Sequence, residues 1–139
     1  MGGQVKAPGD RLLQVAFLAG AITDAGALVP MLSPGFADLL WGLHDPSGTY
    51  RFAMGYGASL MFGWTILLLW AYRRPTERRA VAAFTAVVIA GLIVAELGAV
   101  QTGVLAVGRM VPTWVLQAVL LTLFVAAFTL GRPRGSVAA

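Results

Sequence analysis

The sequence predicts an all-α integral membrane protein, with four transmembrane helices in an antiparallel up-down bundle and a short interfacial helix between the first two. Hydrophobic residues make up 58% of the 139 residues and charged residues only 12%, about half the charged share of soluble domains. The apolar residues form four runs, at about 12–32, 52–72, 80–104 and 111–130. Each run has the roughly 20 residues that a helix needs to cross about 30 Å of hydrocarbon.

The runs are expected to be helices because backbone groups in lipid must find their hydrogen-bond partners within the same segment. Transmembrane strands would show alternating polarity in segments of about ten residues, and the sequence has no such alternation. The four runs and their short links use the whole chain. Residues 1–139 are therefore predicted to form a single four-helix transmembrane domain.

The longest link, between the first and second runs, carries a helix of its own at about 34–43. Ser33 and Pro34 are a typical helix start, with serine as the N-cap and proline in the first turn. Apolar residues then recur at helical spacing, which predicts an amphipathic helix in the membrane interface: Phe36, Leu39, Leu40 and Leu43. A β-turn is expected at 45–48. The segment either covers the bundle or acts as a lid over an opening.

Basic residues set the predicted orientation, because cytoplasmic loops carry an excess of lysine and arginine. One side of the predicted bundle holds most of them: Lys6, Arg11, Arg73, Arg74, Arg78, Arg79, Arg132 and Arg134. The opposite side holds only Arg51 and Arg109. We therefore expect a multi-pass protein of the cell (inner) membrane with both termini in the cytoplasm. Richness in alanine, glycine and arginine suggests a prokaryotic source, and Pro75 predicts a tight hairpin between spans two and three.

Each predicted span contributes one strongly polar residue to the outer half of the membrane. Counted at about 1.5 Å per residue from the cytoplasmic ends, Asp24 and Gln117 lie at about 18–20 Å. Tyr56 and Glu96 lie at about 24 Å on the same count. Below this layer the same helix faces become bulky and apolar: Phe17, Phe124, Phe128 and, less directly, Trp70. The pattern predicts a polar pocket that opens outward and has an aromatic floor.

The two carboxylates need partners, because a charged side chain at mid-span costs about 2.5–3.5 kcal/mol on insertion scales. Arg51 and Arg109 are the only arginines on the outer side, and both lie at span ends. We therefore expect one or both to reach Asp24 or Glu96. The predicted ligand-binding set is Asp24, Glu96, Tyr56, Gln117, Arg51 and Arg109.

Small residues recur every fourth position in spans two and three, a pattern that allows close approach of helices in lipid. The two series are Gly55, Ser59 and Gly63, and Gly91, Ala95, Ala99 and Gly103. They are expected either to bring the second and third spans together or to form a homo-oligomer interface.

The sequence lacks the residues that several classes of function need. The chain has no cysteine, which excludes disulfides, thiolate catalysis and cysteine-ligated metals. His44 is the single histidine, so no metal site and no cofactor are predicted. The net charge of +4 comes from residues at span ends, which read as topology signals. The expected partners are membrane lipids and a small-molecule ligand, with no nucleic acid.

Three functions remain open. The first is an outward-facing polar pocket that binds or helps to move a small polar or amphiphilic ligand, with a link to protons. The second is a structural or accessory subunit in which the network of Asp24 and Glu96 only fixes packing. The third, ranked last, is an intramembrane enzyme acting on a lipid-like substrate, with the two carboxyl groups as acid and base and Tyr56 as a further donor. No catalytic residue is assigned.

Overall fold

A computed structural model describes residues 8–44 and 47–131. Regular structure within these ranges is entirely helical, as predicted, and four of the five helices are long and apolar enough to cross a membrane. The helices are α1 (Pro8–Leu32), α2 (Pro34–Trp41), α3 (Gly48–Arg73), α4 (Ala80–Gln101) and α5 (Val107–Leu130). Lys6, Arg132, Arg134 and the first half of the turn expected at 45–48 lie outside the described residues.

Several helix ends differ from the predicted spans because capping residues set them. The helix α3 begins at Gly48, one turn before the apolar run, since the Ser47 side chain accepts a hydrogen bond of 3.1 Å from the Tyr50 amide. The helix α4 ends at Gln101, before Val104, since Gly103 adopts a left-handed φ of 74°. The Gly103 and Val104 amides then bond back to the last carbonyls of the helix, which is a Schellman ending.

One end of the structure gathers the start of α1, the end of α5 and the arginine-rich α3–α4 connection; we name it the arginine end. A Cβ atom on Gly9 would lie 2.8 Å from the Leu130 carbonyl oxygen. The hydroxyl of Thr76, in the α3–α4 connection, donates a hydrogen bond to Asp10. The opposite end, where α2 packs against α1 and α5, is named the α2 end.

The helix α1 is the centre of the packing. It contacts α3 and α5 extensively and α4 to a smaller extent, while α4 packs mainly against α5. The hydrophobic core is concentrated toward the arginine end, where Leu13, Phe17, Leu68 and Phe124 are fully buried. Toward the α2 end the core finishes at about Ala21, Ile89 and Leu120.

The outer surface of the four long helices is strongly apolar. Side chains such as Ile22, Phe62, Phe84 and Val94 are more than half exposed. Soluble proteins rarely leave contiguous apolar patches larger than a few hundred Å² exposed. A surface of this kind suits contact with lipid acyl chains, and it supports the interpretation of a multi-pass membrane protein.

The short helix α2 confirms the helix predicted in the first link. Ser33 has the extended backbone of an N-cap, and Gly42 ends the helix in the left-handed conformation, with φ of 71°. Ala37 is fully buried, whereas Phe36, Leu39 and Leu40 are at least half exposed. The apolar face of α2 therefore points away from the bundle, and only its opposite side packs on it.

Candidate functional site

Two of the predicted site residues are joined directly. The Gln117 Nε2 atom donates a hydrogen bond of 2.8 Å to Glu96 Oε1, which links α5 to α4. Glu96 continues the face of α4 that buries Thr85 and Ile89, and Gln117 lies on the face of α5 that buries Leu120 and Phe124. Helical periodicity thus turns both polar side chains inward, just beyond the end of the hydrophobic core.

The same two side chains leave two acceptors without a donor. Glu96 Oε2 and Gln117 Oε1 are both buried and have no hydrogen-bond partner among the described residues. Gln117 is only 8% exposed. An unpaired buried polar atom costs about 1–3 kcal/mol, so native structures keep few of them without a functional reason. The pair therefore leaves two buried acceptor atoms that lack a donor.

Asp24 lies at the same height as this pair. The Phe17 and Phe124 rings meet with centroids 6.2 Å apart, which fixes the register of α1 against α5. Asp24 is seven residues beyond Phe17, and Gln117 is seven residues before Phe124. At 1.5 Å per residue both lie about 10 Å from the ring contact, toward the α2 end. Asp24 is half-buried and continues the buried face that holds Phe17 and Gly20.

The arginines do not reach these carboxylates, contrary to the prediction. Arg109 Nη1 donates instead to the backbone carbonyls of Asp38 and Leu39, at 2.8 and 3.4 Å. The Asp38 carbonyl also accepts a hydrogen bond of 2.8 Å from the amide of Gly42, the C-cap of α2, so the guanidinium adds a second donor at this helix end. The side chain of Asp38 pairs with His44 at 2.7 Å.

Arg51 is exposed near the start of α3 and lines a shallow cleft of about 310 Å³ with Met31 and Met54. Neither Asp24 nor Glu96 forms an ion pair within residues 8–44 and 47–131. The acidic layer therefore holds no arginine from the part of the chain that the structure describes.

Tyr56 does not lie in the inward-facing layer that the sequence predicts for it. It is 63% exposed, and its ring stacks on Phe52 along the outside of α3. Tyr56 also lies at a different height along the bundle from Asp24. Gly20 lies against Leu68, and Met31 lies against Gly57. Residue numbers along α3 therefore fall as those along α1 rise. This register puts Tyr56 beside Leu32, about 12 Å beyond Asp24.

The inward face of α3 instead carries Ala58, Thr65 and Leu68. The α3 residue level with Asp24 is Trp64, whose indole donates to Thr85 Oγ1 at 3.3 Å.

Three of the four aromatic residues predicted to form a floor lie in or against the hydrophobic core. Phe17 and Phe124 are fully buried between Asp24 and the arginine end, and Phe128 packs against this core. Trp70 is not part of the floor. It is 48% exposed, and the Arg78 guanidinium lies 3.4 Å from the centroid of its ring.

No known protein family, curated protein or solved structure matches this chain. The function is therefore argued from the chemistry of the three inward-facing residues, Asp24, Glu96 and Gln117, which we name the acidic layer.

One residue near the acidic layer is missing from the predicted site. Trp114 lies one turn beyond Gln117 toward the α2 end, and its indole Nε1 is buried without a partner in the described ranges. It shares the helical face of Gln117, three positions earlier, which was the signal available in the sequence. The indole N–H is therefore a buried donor about one helical turn from Gln117, and it is bonded to neither acceptor.

The small-residue series do not join α3 to α4. A Cβ atom on Gly55, Gly63 or Gly91 would meet no other atom within 4 Å, and Gly103 lies beyond the end of α4. The helix α3 packs on α1 instead. Their use in a homo-oligomer stays a prediction. Within the described residues, no group of three or more histidine, aspartate or glutamate side chains is arranged to hold a metal ion.

Proposed function

We propose that the protein crosses a cell membrane as an antiparallel up-down bundle and binds a small amphiphilic cation in the outer half of that membrane. The ligand would lie against Glu96 and Gln117, with Asp24 at the same height. The observation that carries the proposal is the pair of buried acceptors, Glu96 Oε2 and Gln117 Oε1, which have no donor.

The charge of the acidic layer favours a cation with N–H groups. It holds two carboxyl groups, and both outer-end arginines are placed elsewhere: Arg109 on the carbonyls of α2 and Arg51 in its own cleft. A carboxylate and an amide oxygen accept hydrogen bonds well from an ammonium or guanidinium group. In low dielectric such charge-assisted bonds are stronger than in water.

The position of the layer favours a ligand that is also apolar. The helices around it are surrounded by exposed apolar side chains, and the fully buried rings of Phe17 and Phe124 close the path toward the arginine end. A ligand therefore reaches the layer from the α2 end or from the lipid, and an apolar tail lowers the cost of either route.

A matched series of ligands that share a six-carbon tail tests the proposal. Hexylammonium and hexylguanidinium are expected to raise the melting temperature of the protein in dodecyl maltoside, because both supply N–H donors and positive charge. A ligand at 100 times its dissociation constant stabilises the folded state by about 2.7 kcal/mol. The measurement is thermal unfolding followed by circular dichroism over a range of ligand concentrations.

Hexyltrimethylammonium and hexanol are the controls. The first keeps the charge without N–H groups, and the second keeps the tail and one hydroxyl without charge. Equal stabilisation by all four compounds would show general partitioning into the micelle and would contradict the proposed site.

The orientation can be tested because the chain has no cysteine. In the variant Thr102→Cys, in the α4–α5 connection, we expect the new thiol to react with a membrane-impermeant maleimide added to intact cells. In the variant Glu77→Cys, at the arginine end, the thiol should react only after the membrane is permeabilised. This result follows from the arginine bias, which puts the arginine end in the cytoplasm. The reverse pattern of labelling would invert the proposed topology.

A structural role is the second candidate, and the Glu96–Gln117 hydrogen bond is the observation that favours it. Under that role the bond fixes α4 to α5 and no ligand of the series stabilises the protein. The enzyme hypothesis loses one of its three groups, because Tyr56 lies on the outside of α3, away from the carboxyl groups.

A further inference from the structure

We infer that Glu96 carries a proton on Oε2 in the ligand-free protein and donates it to Gln117 Oε1, so that the two side chains form a closed pair with two hydrogen bonds. The inference deepens the proposed function, since it makes this site a proton site that a cation can displace. The proton itself does not depend on a ligand.

The geometry of the two groups carries this inference. A carboxyl group and a primary amide are both planar, and each presents two polar atoms side by side. The bond of 2.8 Å from Gln117 Nε2 to Glu96 Oε1 uses one atom of each group. The atoms that remain are Glu96 Oε2 and Gln117 Oε1, and these are the two buried acceptors without a partner.

A single proton on Oε2 satisfies both remaining atoms. A protonated carboxyl group is one donor as well as an acceptor, so Oε2–H can donate to Gln117 Oε1 while Glu96 Oε1 keeps its bond from Nε2. An ionised Glu96 would leave both of these buried atoms as acceptors without a donor. That arrangement would cost the desolvation of both atoms without a compensating bond.

The charged and titratable groups around Glu96 support a neutral carboxyl. Asp24 on α1 stands at the same height, and two ionised carboxylates in a low-dielectric layer repel each other. On α5 the charged residue is Arg109, which is held by α2 carbonyls. On α3, Arg51 and Tyr56 are exposed and lie nearer the α2 end. Neither arginine supplies the positive charge that would favour an ionised Glu96.

Displacement by a cation then follows. An ammonium ligand that donates to Glu96 Oε2 and Gln117 Oε1 takes over both bonds of the departing proton. Glu96 becomes a carboxylate paired with the cation, and the proton leaves to the water at the α2 end. Charge within the site is conserved, with one proton released for each cation bound.

Infrared spectroscopy of the ligand-free protein at pH 7 in dodecyl maltoside, which has no carbonyl group, tests the inference. The wild type should show the C=O stretch of a protonated carboxyl group, and this component should be missing from Glu96→Gln and present in Asp24→Asn. Gln117→Met keeps the side-chain length but removes the N–H donor, so the band should move to higher frequency. Size-exclusion elution and circular dichroism establish that each variant is folded.

Two results would overturn the inference: no component that depends on Glu96, or a band at the same frequency in Gln117→Met. A second measurement is calorimetric titration with hexylammonium in buffers of different ionisation enthalpy, which should report about one proton released per cation bound. Absence of release with clear binding would reject the displacement step. Absence of binding would reject the proposed function while leaving the infrared result unchanged.

Discussion

Replacing Glu96 with glutamine is expected to weaken hexylammonium binding by about thirtyfold or more, with little change in the stability of the protein. Removal of one partner of a buried, hydrogen-bonded charge pair costs about 2–5 kcal/mol of binding free energy, and 2 kcal/mol is about thirtyfold in the dissociation constant. Stability should stay within about 0.5 kcal/mol. The new carboxamide has the shape of a protonated glutamate and can donate to Gln117 Oε1 in the same way.

Two further variants complete this experiment. Glu96→Ala removes the partner of Gln117 altogether, so we expect it to lose both binding and about 1–3 kcal/mol of stability. Glu77→Gln is the matched control, because Glu77 is an exposed carboxylate at the arginine end that pairs with Arg74 at 3.3 Å. Calorimetric titration gives the affinities, and thermal unfolding gives the stabilities. Full affinity in Glu96→Gln would remove Glu96 from the site.

Replacing Gly20 with leucine is expected to destabilise the protein by about 1–3 kcal/mol, the usual cost of overpacking a core. A Cβ atom at this position would lie 2.7 Å from Phe124 Cζ and 3.1 Å from Leu68 Cδ1. The Phe124 ring cannot turn away easily, because it is fully buried against Phe17. Unfolding in detergent, followed by circular dichroism, measures the loss.

Gly26→Leu is the control for this prediction. Gly26 lies on the same helix, six residues further on, and a Cβ atom there meets no other atom within 4 Å. We expect this variant to keep its stability within about 0.5 kcal/mol. An equal loss in both variants would point to helix propensity or membrane insertion as the cause, and would contradict the packing of α1 against α3 and α5 at Gly20.

The sequence predicted the helices well because hydrophobic length and charge determine them. The predicted runs and the four long helices agree within four residues at every end, and the short helix after Ser33 is present. Two of the remaining differences come from single caps, Ser47 before α3 and Gly103 after α4. These interactions depend on one hydrogen bond or one φ angle, which hydrophobicity does not reveal.

The candidate site was predicted only in part, for a physical reason. In lipid, both sides of a helix are apolar, so the sequence does not show which side faces the protein. Glu96 and Gln117 were predicted for one polar layer and are joined by a hydrogen bond, since polar side chains pair across helices in an apolar medium. Tyr56 was placed wrongly because its phenol is amphipathic and tolerates the outer surface near a helix end.

Arg109 shows a different limit of sequence reasoning. Its charge suggested a carboxylate partner, but it binds uncharged carbonyl groups at the end of α2. The end of a helix carries a partial negative charge and several carbonyls without partners, so it competes with acidic side chains for an arginine. Which carbonyl groups Arg109 can reach depends on how α2 packs beside α5, and the sequence alone does not show that packing.

The Phe17–Phe124 contact closes the interior of the helix bundle between the acidic layer and the arginine end. Between the acidic layer and the arginine end the interior is filled by side chains with no exposed surface, which leaves no room for a file of water molecules. A solute held beside Asp24 could leak through only if the two rings swung apart. In a membrane, the topology proposed above would then give no continuous path for ions through the bundle while the two rings stay packed.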